Sequence, residues 1–371
     1  MFDPAGGITS KLSGIYAGFG YSPYKMSKFE EYDLYARNRE FLISDGVITF
    51  TDTDGRLMAL KPDVTLSIIK NCDARPGQTK KLFYSENVYR LSKGTDSFKE
   101  IPQTGLECIG RVDGYCVAEV LYLAALSLKA TGRGFVLDLG EQELLTGAAM
   151  RISDDPASLE ELMACVREKN THGIEEIAAR LKLSDAGAAA PLKTLAGLYG
   201  TPAETLPEVA ETAAELGLEN AYFKLKNAVD ALEGTDCAGC VRIDFSTAGD
   251  RNYYNGIAFK GYVEGVPERV LSGGQYDRLV RRFLPDGQAI GFAVYVDALE
   301  RLPRVRNEFD GDVLLVYPEG VPQKTVLQTV IGMNANGLTV KAAPAVESER
   351  LKARYRRTGY IGGEGDVTYE E

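Results

Sequence analysis

Two neighbouring segments, Lys81-Leu-Phe-Tyr-Ser-Glu-Asn-Val-Tyr-Arg90 and Gln103-Thr-Gly-Leu-Glu-Cys-Ile-Gly110, decide the fold. Both are rich in aromatic and aliphatic residues, and turn-forming residues surround them, which is typical of β-strands. We therefore predict strands over residues 81–89 and 103–109. Because helical patterns do not alternate regularly with the strands on either side, the sequence favours an antiparallel α+β fold.

Shorter patterns on both sides of these segments extend the prediction. Apolar residues at helical spacing predict a helix over residues 8–19, followed by an extended segment over residues 21–26. Further strands are predicted over residues 47–51, 56–60, 135–139, 241–245, 254–263 and 269–272, and further helices over residues 64–70, 118–129 and 290–302.

A shift in composition divides the chain into domains. Residues 141–236 are rich in Ala, Glu and Leu at helical spacing and contain 18 acidic but only 8 basic residues, which predicts an inserted acidic helical domain. The flanking segments 1–140 and 237–305 should together form one sheet-containing domain. After a linker that ends near residue 310, residues 310–371 predict a small α/β unit with the order strand, helix, strand, helix, strand.

Bulk properties limit the classes of function. The chain has 371 residues and 44% hydrophobic residues, which suits a globular protein of two or three domains. No apolar run reaches the roughly 18–20 residues that a bilayer span needs, and the first ten residues lack a secretory pattern. We therefore expect a cytoplasmic protein without a membrane segment. The net charge of −11 disfavours tRNA binding, because nucleic-acid-binding surfaces are usually basic.

The cysteines and the single histidine restrict the chemistry further. Cys237 and Cys240 form a CxxC pair, but a zinc site usually needs a second Cys or His pair, and His172 is distant in sequence. We expect two buried thiols there and no metal site. A catalytic triad could depend only on His172, which lies in a polar Asn-Thr-His-Gly stretch that we predict to be a loop.

Four segments, taken in order, resemble the signature motifs of the histidyl-tRNA synthetase catalytic domain, over roughly residues 10–302. One such segment is weakly specific, whereas four in order at suitable spacing are strongly so. The resemblance implies a class II aminoacyl-tRNA synthetase-like antiparallel sheet with flanking helices, and a C-terminal unit similar to a shortened anticodon-binding domain. The segments are Phe19-Gly-Tyr-Ser-Pro-Tyr-Lys-Met-Ser-Lys-Phe-Glu30, Leu60-Lys-Pro-Asp-Val-Thr65, Val88-Tyr-Arg90 with Gln103-Thr-Gly-Leu-Glu-Cys-Ile-Gly110, and Tyr253-Tyr-Asn-Gly-Ile-Ala-Phe259 with Gly273-Gly-Gln-Tyr-Asp277.

The arginines that such a synthetase uses are only partly kept. Amino-acid adenylation builds charge on the phosphates of ATP, which arginines and Mg²⁺ normally stabilise. Arg90 corresponds to the arginine of the second motif. The family's arginine before the double tyrosine falls on Gly249, and Arg251 is displaced from it by two residues.

The third motif also lacks its arginine. Its Gly291-Phe-Ala293 segment is present, but the position of the following arginine falls on Ala298. Arg301 lies three residues on, about 4.5 Å further along a helix. Losing one preorganised charge contact costs about 10² to 10³ in rate, so two losses argue against a working synthetase. We therefore expect no catalytic residues and no cofactor.

The amino-acid pocket, in contrast, is expected to be kept. The resemblance implies that acidic and amide side chains bind the ammonium and imidazole groups of histidine, while tyrosines form the walls. A carboxylate that binds an ammonium forms a charge-assisted hydrogen bond of about 1.5–3 kcal/mol. The expected ligand-binding residues are Asp63, Arg90, Gln103, Glu107, Tyr253, Tyr254 and Tyr276.

The Leu-Lys-Pro-Asp-Val-Thr form of the second segment is similar to a regulatory branch of this family, whose members partner short-form ATP phosphoribosyltransferases in histidine synthesis. The resemblance implies a non-catalytic regulatory and activating subunit. It also implies the short-form catalytic subunit as a partner, histidine as an effector, and self-association to at least a dimer.

Two other functions stay open at this point: a synthetase-like ligase with altered activity, and a free-standing amino-acid or RNA sensor. The residues themselves also allow a plainer interpretation. Asp63, Gln103 and Glu107 would then form a hydrogen-bonded polar network in the core, and Tyr253 and Tyr254 would pack within the sheet.

Overall fold

The computed structural model describes residues 4–42, 46–73, 77–91, 97–181, 187–248, 253–299, 309–348, 354–363 and 365–370. The chain divides into two compact units, Met1–Leu302 and Pro303–Glu371. The C-terminal unit thus begins close to the predicted linker. The subdivision of the first unit into a sheet domain and an inserted helical domain stays a prediction.

The strands, in chain order, are β1 (Ser22–Pro23), β2 (Phe29–Glu31), β3 (Thr49–Thr51), β4 (Leu57–Leu60), β5 (Thr79–Leu91), β6 (Phe98–Gly110), β7 (Phe135–Glu141), β8 (Tyr199–Gly200), β9 (Val241–Asp244), β10 (Ile257–Val263), β11 (Leu271–Gln275), β12 (Gln288–Tyr295), β13 (Gly311–Tyr317), β14 (Val340–Pro344), β15 (Tyr355–Ile361) and β16 (Val367–Tyr369).

The helices are α1 (Pro4–Gly18), α2 (Tyr32–Ala36), α3 (Thr65–Lys70), α4 (Gly114–Lys129), α5 (Gln142–Met150), α6 (Pro156–Arg167), α7 (Thr171–Arg180), α8 (Ala190–Gly197), α9 (Pro202–Leu216), α10 (Glu219–Asp230), α11 (Asp277–Val280), α12 (Val296–Leu299), α13 (Gln323–Ala335) and α14 (Ala345–Ser348). Short 3₁₀ turns cover Arg39–Phe41, Ala238–Cys240 and Phe245–Ala248.

A nine-stranded sheet organises the first unit, with the order β1-β5-β6-β12-β11-β10-β7-β9-β8. Its pairs are antiparallel except β1 with β5 and β7 with β9, which are parallel. The predicted antiparallel sheet with flanking helices is therefore confirmed. A separate three-stranded sheet, β2-β4-β3, lies in the same unit.

The long hairpin β5–β6 separates two apolar cores. Its strands pair at thirteen positions, from Thr79 with Gly110 to Leu91 with Phe98. Because side chains alternate between the two faces of a strand, Leu106 and Cys108 point into the core that α1 and α4 cover. On the other face, Tyr84 contributes to a smaller core that includes α3. This second face carries the site described below.

The helices α5–α10 occupy most of residues 141–236, as the composition predicts. Local signals explain where they begin and end. Asp155 caps α6, a capping box of Thr201 and Glu204 starts α9, and Gly217 follows α9 with a φ of +69°, a conformation that favours glycine. Leu144 and Leu192 on these helices share one apolar core with the sheet.

One predicted helix is wrong in its first half. Residues 290–295 belong to β12, and α12 covers only Val296–Leu299 among the described residues. The strand lies between β6 and β11 and is buried on both faces along most of its length. A strand of this kind is apolar without strict alternation, so its sequence pattern does not distinguish it from a buried helix.

Smaller differences also have local causes. His172 lies in the first turn of α7 and not in a loop, because the Asn170 side chain accepts a hydrogen bond of 2.8 Å from the Gly173 amide and caps the helix. Only Ser22–Pro23 of the extended segment 21–26 forms a strand. The strand predicted over residues 254–263 begins only at Ile257.

The second unit has a four-stranded sheet with the order β14-β13-β15-β16. Strand β13 pairs in parallel with both β14 and β15, and β16 is antiparallel to β15. Its small core contains Leu314, Val316 and Ala343. Within the described residues of the whole chain, no helix is long and apolar enough to cross a membrane.

Candidate ligand-binding site

A cavity on the second face of the nine-stranded sheet brings together all seven residues that the sequence analysis names for the pocket. About 30 Å³ is open to the centres of water-sized molecules, which is room for one or two waters. A larger ligand therefore requires side chains to move. The lining residues are Asp63, Val64, Thr65, Tyr84, Arg90, Gln103, Glu107, Tyr253, Tyr254, Tyr276, Gly291, Phe292, Ala293 and Tyr295.

Glu107 on β6 is the centre of the cavity's hydrogen bonding. Its side chain is 2% exposed. The Thr65 hydroxyl donates a hydrogen bond of 2.7 Å to Oε1, and the Tyr276 hydroxyl donates to Oε2. Burial raises the pKa of Glu107 to about 8, although both hydroxyls oppose this shift. Near neutral pH the carboxyl group can thus hold or release a proton when a charged ligand binds.

Glycine at position 291 makes room for this carboxyl group. Gly291 on β12 is the register partner of Glu107, and a Cβ atom there would lie 1.7 Å from Glu107 Oε2. Gly105 is constrained similarly, because a Cβ atom would lie 2.6 Å from the Tyr84 hydroxyl. Glycine at these two positions therefore leaves the space that the Glu107 carboxyl group and the Tyr84 hydroxyl occupy.

Asp63 and Arg90 bring ionisable groups of opposite charge to the same cavity. Asp63 Oδ1 accepts a 2.9 Å hydrogen bond from the Leu66 amide at the start of α3. Burial raises the pKa of Asp63, and the Arg90 guanidinium opposes the shift. Arg90 Nε donates to the Pro62 carbonyl at 2.7 Å, which holds the guanidinium next to the Leu60-Lys-Pro-Asp-Val-Thr65 segment.

Tyrosines form the aromatic wall of the cavity. The rings of Tyr253 and Tyr254 meet edge to face, with centroids 4.8 Å apart, and Tyr253 lies 5.9 Å from Tyr276. Tyr253 and Tyr254 precede β10, so the interpretation that they pack as strand residues is wrong. Gln103 lies on β6 two positions before Gly105, and its side chain is buried.

Some lining residues were not predicted as site residues. Thr65 was part of a quoted motif, but only the structure shows its hydroxyl bonded to Glu107. Tyr84 and Tyr295 line the cavity because they are register partners of Gly105 and Gln103 on neighbouring strands. Tyr84 lies in a segment predicted as a strand, but only the register with β6 places it at the cavity, and Tyr295 lay in the segment assigned to a helix.

The arginine position of the third motif falls on Ala298, which lies on α12 and is 3% exposed. Its methyl group supplies no charge. The sequence analysis also relates Gly249, Arg251 and Arg301 to the arginines of the synthetases. These three residues lie outside the described residues. Among the described residues there is also no group of three or more His, Cys, Asp or Glu that could hold a metal ion.

Comparisons with known proteins agree with this architecture. A family model described as histidyl-tRNA synthetase matches residues 5–299. An ATP phosphoribosyltransferase regulatory subunit from Clostridium acetobutylicum is 26% identical over 340 residues, covering 89% of this chain and 83% of that protein. Because the family model matches well over half of the chain, the protein belongs to the histidyl-tRNA synthetase family.

Solved structures show the same fold. An ATP phosphoribosyltransferase regulatory subunit/histidyl-tRNA synthetase from Bacillus halodurans has a TM-score of 0.77 and 22% identity, covering 97% of this chain and 96% of that one. A chain of the ATP phosphoribosyl transferase complex from Thermotoga maritima has a TM-score of 0.62 and 18% identity, covering 80% of this chain and 98% of its own. The fold is therefore the class II synthetase-like α+β fold.

Proposed function

We propose that this protein is a non-catalytic regulatory and activating subunit of an ATP phosphoribosyltransferase in histidine biosynthesis, and that the cavity around Glu107 binds histidine. Relatives that match most of the chain carry this regulatory name, and a structural neighbour comes from such a transferase complex. The partner is then a short-form catalytic subunit.

The observation that carries the proposal is a contrast within the first unit. The carboxyl group of Glu107, the Asp63–Arg90 pair and the tyrosine wall are assembled in one cavity. In contrast, Ala298 occupies a position where a synthetase of this family has an arginine. A pocket that binds an amino acid without supporting its adenylation suits a regulator, since an effector acts through its different affinities for two states.

Reconstitution tests this function. A short-form ATP phosphoribosyltransferase from the same source is assayed alone, with this chain, and with this chain plus histidine. We expect activity to depend on this chain and histidine to inhibit only the complex. Unchanged transferase activity would contradict the regulatory role, and a transferase that histidine inhibits equally well by itself would contradict histidine sensing by this chain.

The pocket assignment has its own test. Glu107→Ala should weaken histidine binding about tenfold to a hundredfold, as expected for loss of a charge-assisted hydrogen bond worth about 1.5–3 kcal/mol. Calorimetric titration of the purified chain measures this directly. Glu211→Ala is a suitable control because Glu211 is exposed on α9. Equal histidine affinities of both variants would place the site elsewhere.

A synthetase-like ligase is the second candidate, favoured by the family model and by the position of Arg90 in the cavity. We expect no histidine-dependent exchange of pyrophosphate into ATP, because Ala298 supplies no charge to the nucleotide. Exchange that depends on histidine would instead establish a ligase.

Light scattering tests the accompanying proposal that the chain self-associates to at least a dimer.

A further inference from the structure

A second cavity shares Tyr254 with the first and is lined by residues of α5 and of the segment that precedes β10. Its volume, about 260 Å³, is much larger than that of the first cavity and is just below the usual range of small-molecule sites. It therefore suits a small ligand. Its walls include Gln142, Thr146, Met150, Leu218, Tyr254 and Asn255.

Two amide oxygens of this cavity are buried without a hydrogen-bond donor among the described residues. They are Oε1 of Gln142 and Oδ1 of Asn255. The Gln142 side chain is 2% exposed, and its Nε2 donates to the Thr146 hydroxyl at 3.1 Å. Leaving buried polar atoms unpaired is costly, which favours a donor from outside the chain. Because both oxygens have almost no accessible surface, such a donor reaches them only when the two side chains shift.

The orientation of the Asn255 amide follows from its neighbour. Asn255 Nδ2 donates a 3.2 Å hydrogen bond to a carboxylate oxygen of Asp277, and that carboxylate also accepts the Ala289 amide at 3.0 Å. Because an ionised carboxylate only accepts, the nitrogen of Asn255 must face Asp277. Its oxygen is therefore an acceptor, and it requires a ligand with N–H or O–H groups.

Charges around the cavity narrow the class of ligand. Glu143 and Arg278 line it with opposite charges, and Lys224 forms an ion pair with Glu143, with 2.9 Å between Nζ and Oε2. The Arg278 guanidinium can bind a carboxylate. Met150, Leu218 and the Tyr254 ring supply apolar surface between these polar groups.

We propose that this second cavity binds a small α-amino acid, with the ligand's ammonium at the oxygens of Gln142 and Asn255, its carboxylate at Arg278, and an apolar side chain between Met150 and Leu218. Tyr254 lines both cavities, so a ligand in one cavity changes how the Tyr254 ring packs in the other. The inference does not depend on the regulatory function and is tested without a transferase.

Ligand-observed saturation-transfer NMR with the full-length chain tests the proposal at millimolar ligand concentrations, which suit a ligand of this size. The probes are L-norleucine, hexanoate, which lacks the amino group, and n-pentylamine, which lacks the carboxylate. We expect norleucine to bind, pentylamine to bind more weakly, and hexanoate to show no transfer. Absence of norleucine binding, or equal binding of all three probes, would overturn the proposal.

Variants locate the binding. Gln142→Met should weaken norleucine binding about tenfold, since it removes one acceptor and keeps the side-chain length. Because Gln142 is buried, a second variant that leaves the core unchanged is needed. Met150 is 55% exposed on α5, and Met150→Trp should block the cavity. Norleucine binding that survives both substitutions would refute this location.

Two control variants complete the design. Leu327→Trp changes a residue that is 61% exposed on α13 of the second unit, and it should leave norleucine binding unchanged. Glu107→Gln changes a residue that lines the first cavity and not the second. Retained norleucine binding in Glu107→Gln is the expected result, whereas its loss would assign the probe to the first cavity and overturn the inference.

Discussion

Glu107 and Asp138 are buried carboxyl groups on the same face of one sheet, but they differ in their hydrogen-bond partners. The register partners that lead from β6 to β7 place both side chains on this face. Burial is the largest cause of the raised pKa in each case, to about 8 for Glu107 and about 7 for Asp138. Both oxygens of Glu107 accept hydrogen bonds from hydroxyls, whereas Asp138 Oδ1 has no donor among the described residues.

The surroundings of Asp138 are ionic. Asp244 raises its pKa further, while Lys169, Lys260 and Arg242 lower it. Lys169 pairs with Asp244 at 2.7 Å, and Lys260 donates to the Ser246 carbonyl at 3.1 Å. The comparison teaches that neutral donors fix a buried carboxyl group in one geometry, whereas surrounding cations only reduce the cost of burying its charge.

The largest expected effect concerns the pH dependence of stability at Glu107. Its pKa rises from 4.5 in the unfolded chain to about 8 in the folded one, so its contribution is complete below about pH 4.5 and is lost as the pH rises through 8. Within that window the folded state loses about 1.4 kcal/mol per pH unit from this group. Glu107→Gln should remove that slope, as urea denaturation at a series of pH values would show. An unchanged slope would mean that Glu107 ionises normally in the folded state.

Asp138→Asn should remove a similar slope over a lower window, from pH 3.8 to about 7. The sign is the same, because the folded-state pKa is again the higher one. The same denaturation series measures this slope. The difference in the free energy of unfolding between wild type and variant isolates Asp138 from the other titrating residues. If Asp138→Asn instead destabilises the protein equally at all pH values, then the surrounding cations, and not burial, determine the contribution of Asp138 to stability.

Gly291→Ala tests the packing beneath Glu107. We expect a loss of about 1–3 kcal/mol in the free energy of unfolding, because the added Cβ atom would lie 1.7 Å from Glu107 Oε2. Gly14→Ala is the matched control, since Gly14 is exposed within α1 with open space around it. That substitution should stabilise the chain by about 0.5–1 kcal/mol. Similar effects of both substitutions would show that the cavity can relax around the new methyl group.

Thr65→Val should give the smallest effect, about 1 kcal/mol, since it removes one of two donors to Glu107. The pKa of Glu107 should rise further, because the Thr65 hydroxyl lowers it. NMR titration of the Glu107 carboxyl group measures the change. Thr205→Val is the control, since that hydroxyl donates to the Thr201 carbonyl of its own helix region and not to Glu107. A Glu107 pKa that does not respond would mean that Tyr276 alone governs this carboxyl group.

Local patterns were sufficient for much of this molecule. The residue types of segments 81–89 and 103–109 predicted strands of the sheet, and the resemblance to the synthetase motifs supplied the seven cavity residues that the structure brings together. The pattern failed at β12, because a strand buried on both faces has no period-2 signal. Asp138 and the second cavity were not predicted, since their environments depend on segments far apart in sequence, such as Leu218 and Tyr254.

The pairing of β5 with β6 also limits how sequences of this kind can diverge. The Glu107 side chain reaches the cavity only because thirteen paired positions hold the two strands in one register. Inserting or deleting one residue between Gln103 and Glu107 would turn their side chains towards opposite faces, and the cavity would lose one of them. Length changes between homologues should therefore fall outside β5 and β6, while the strands themselves keep a constant number of residues.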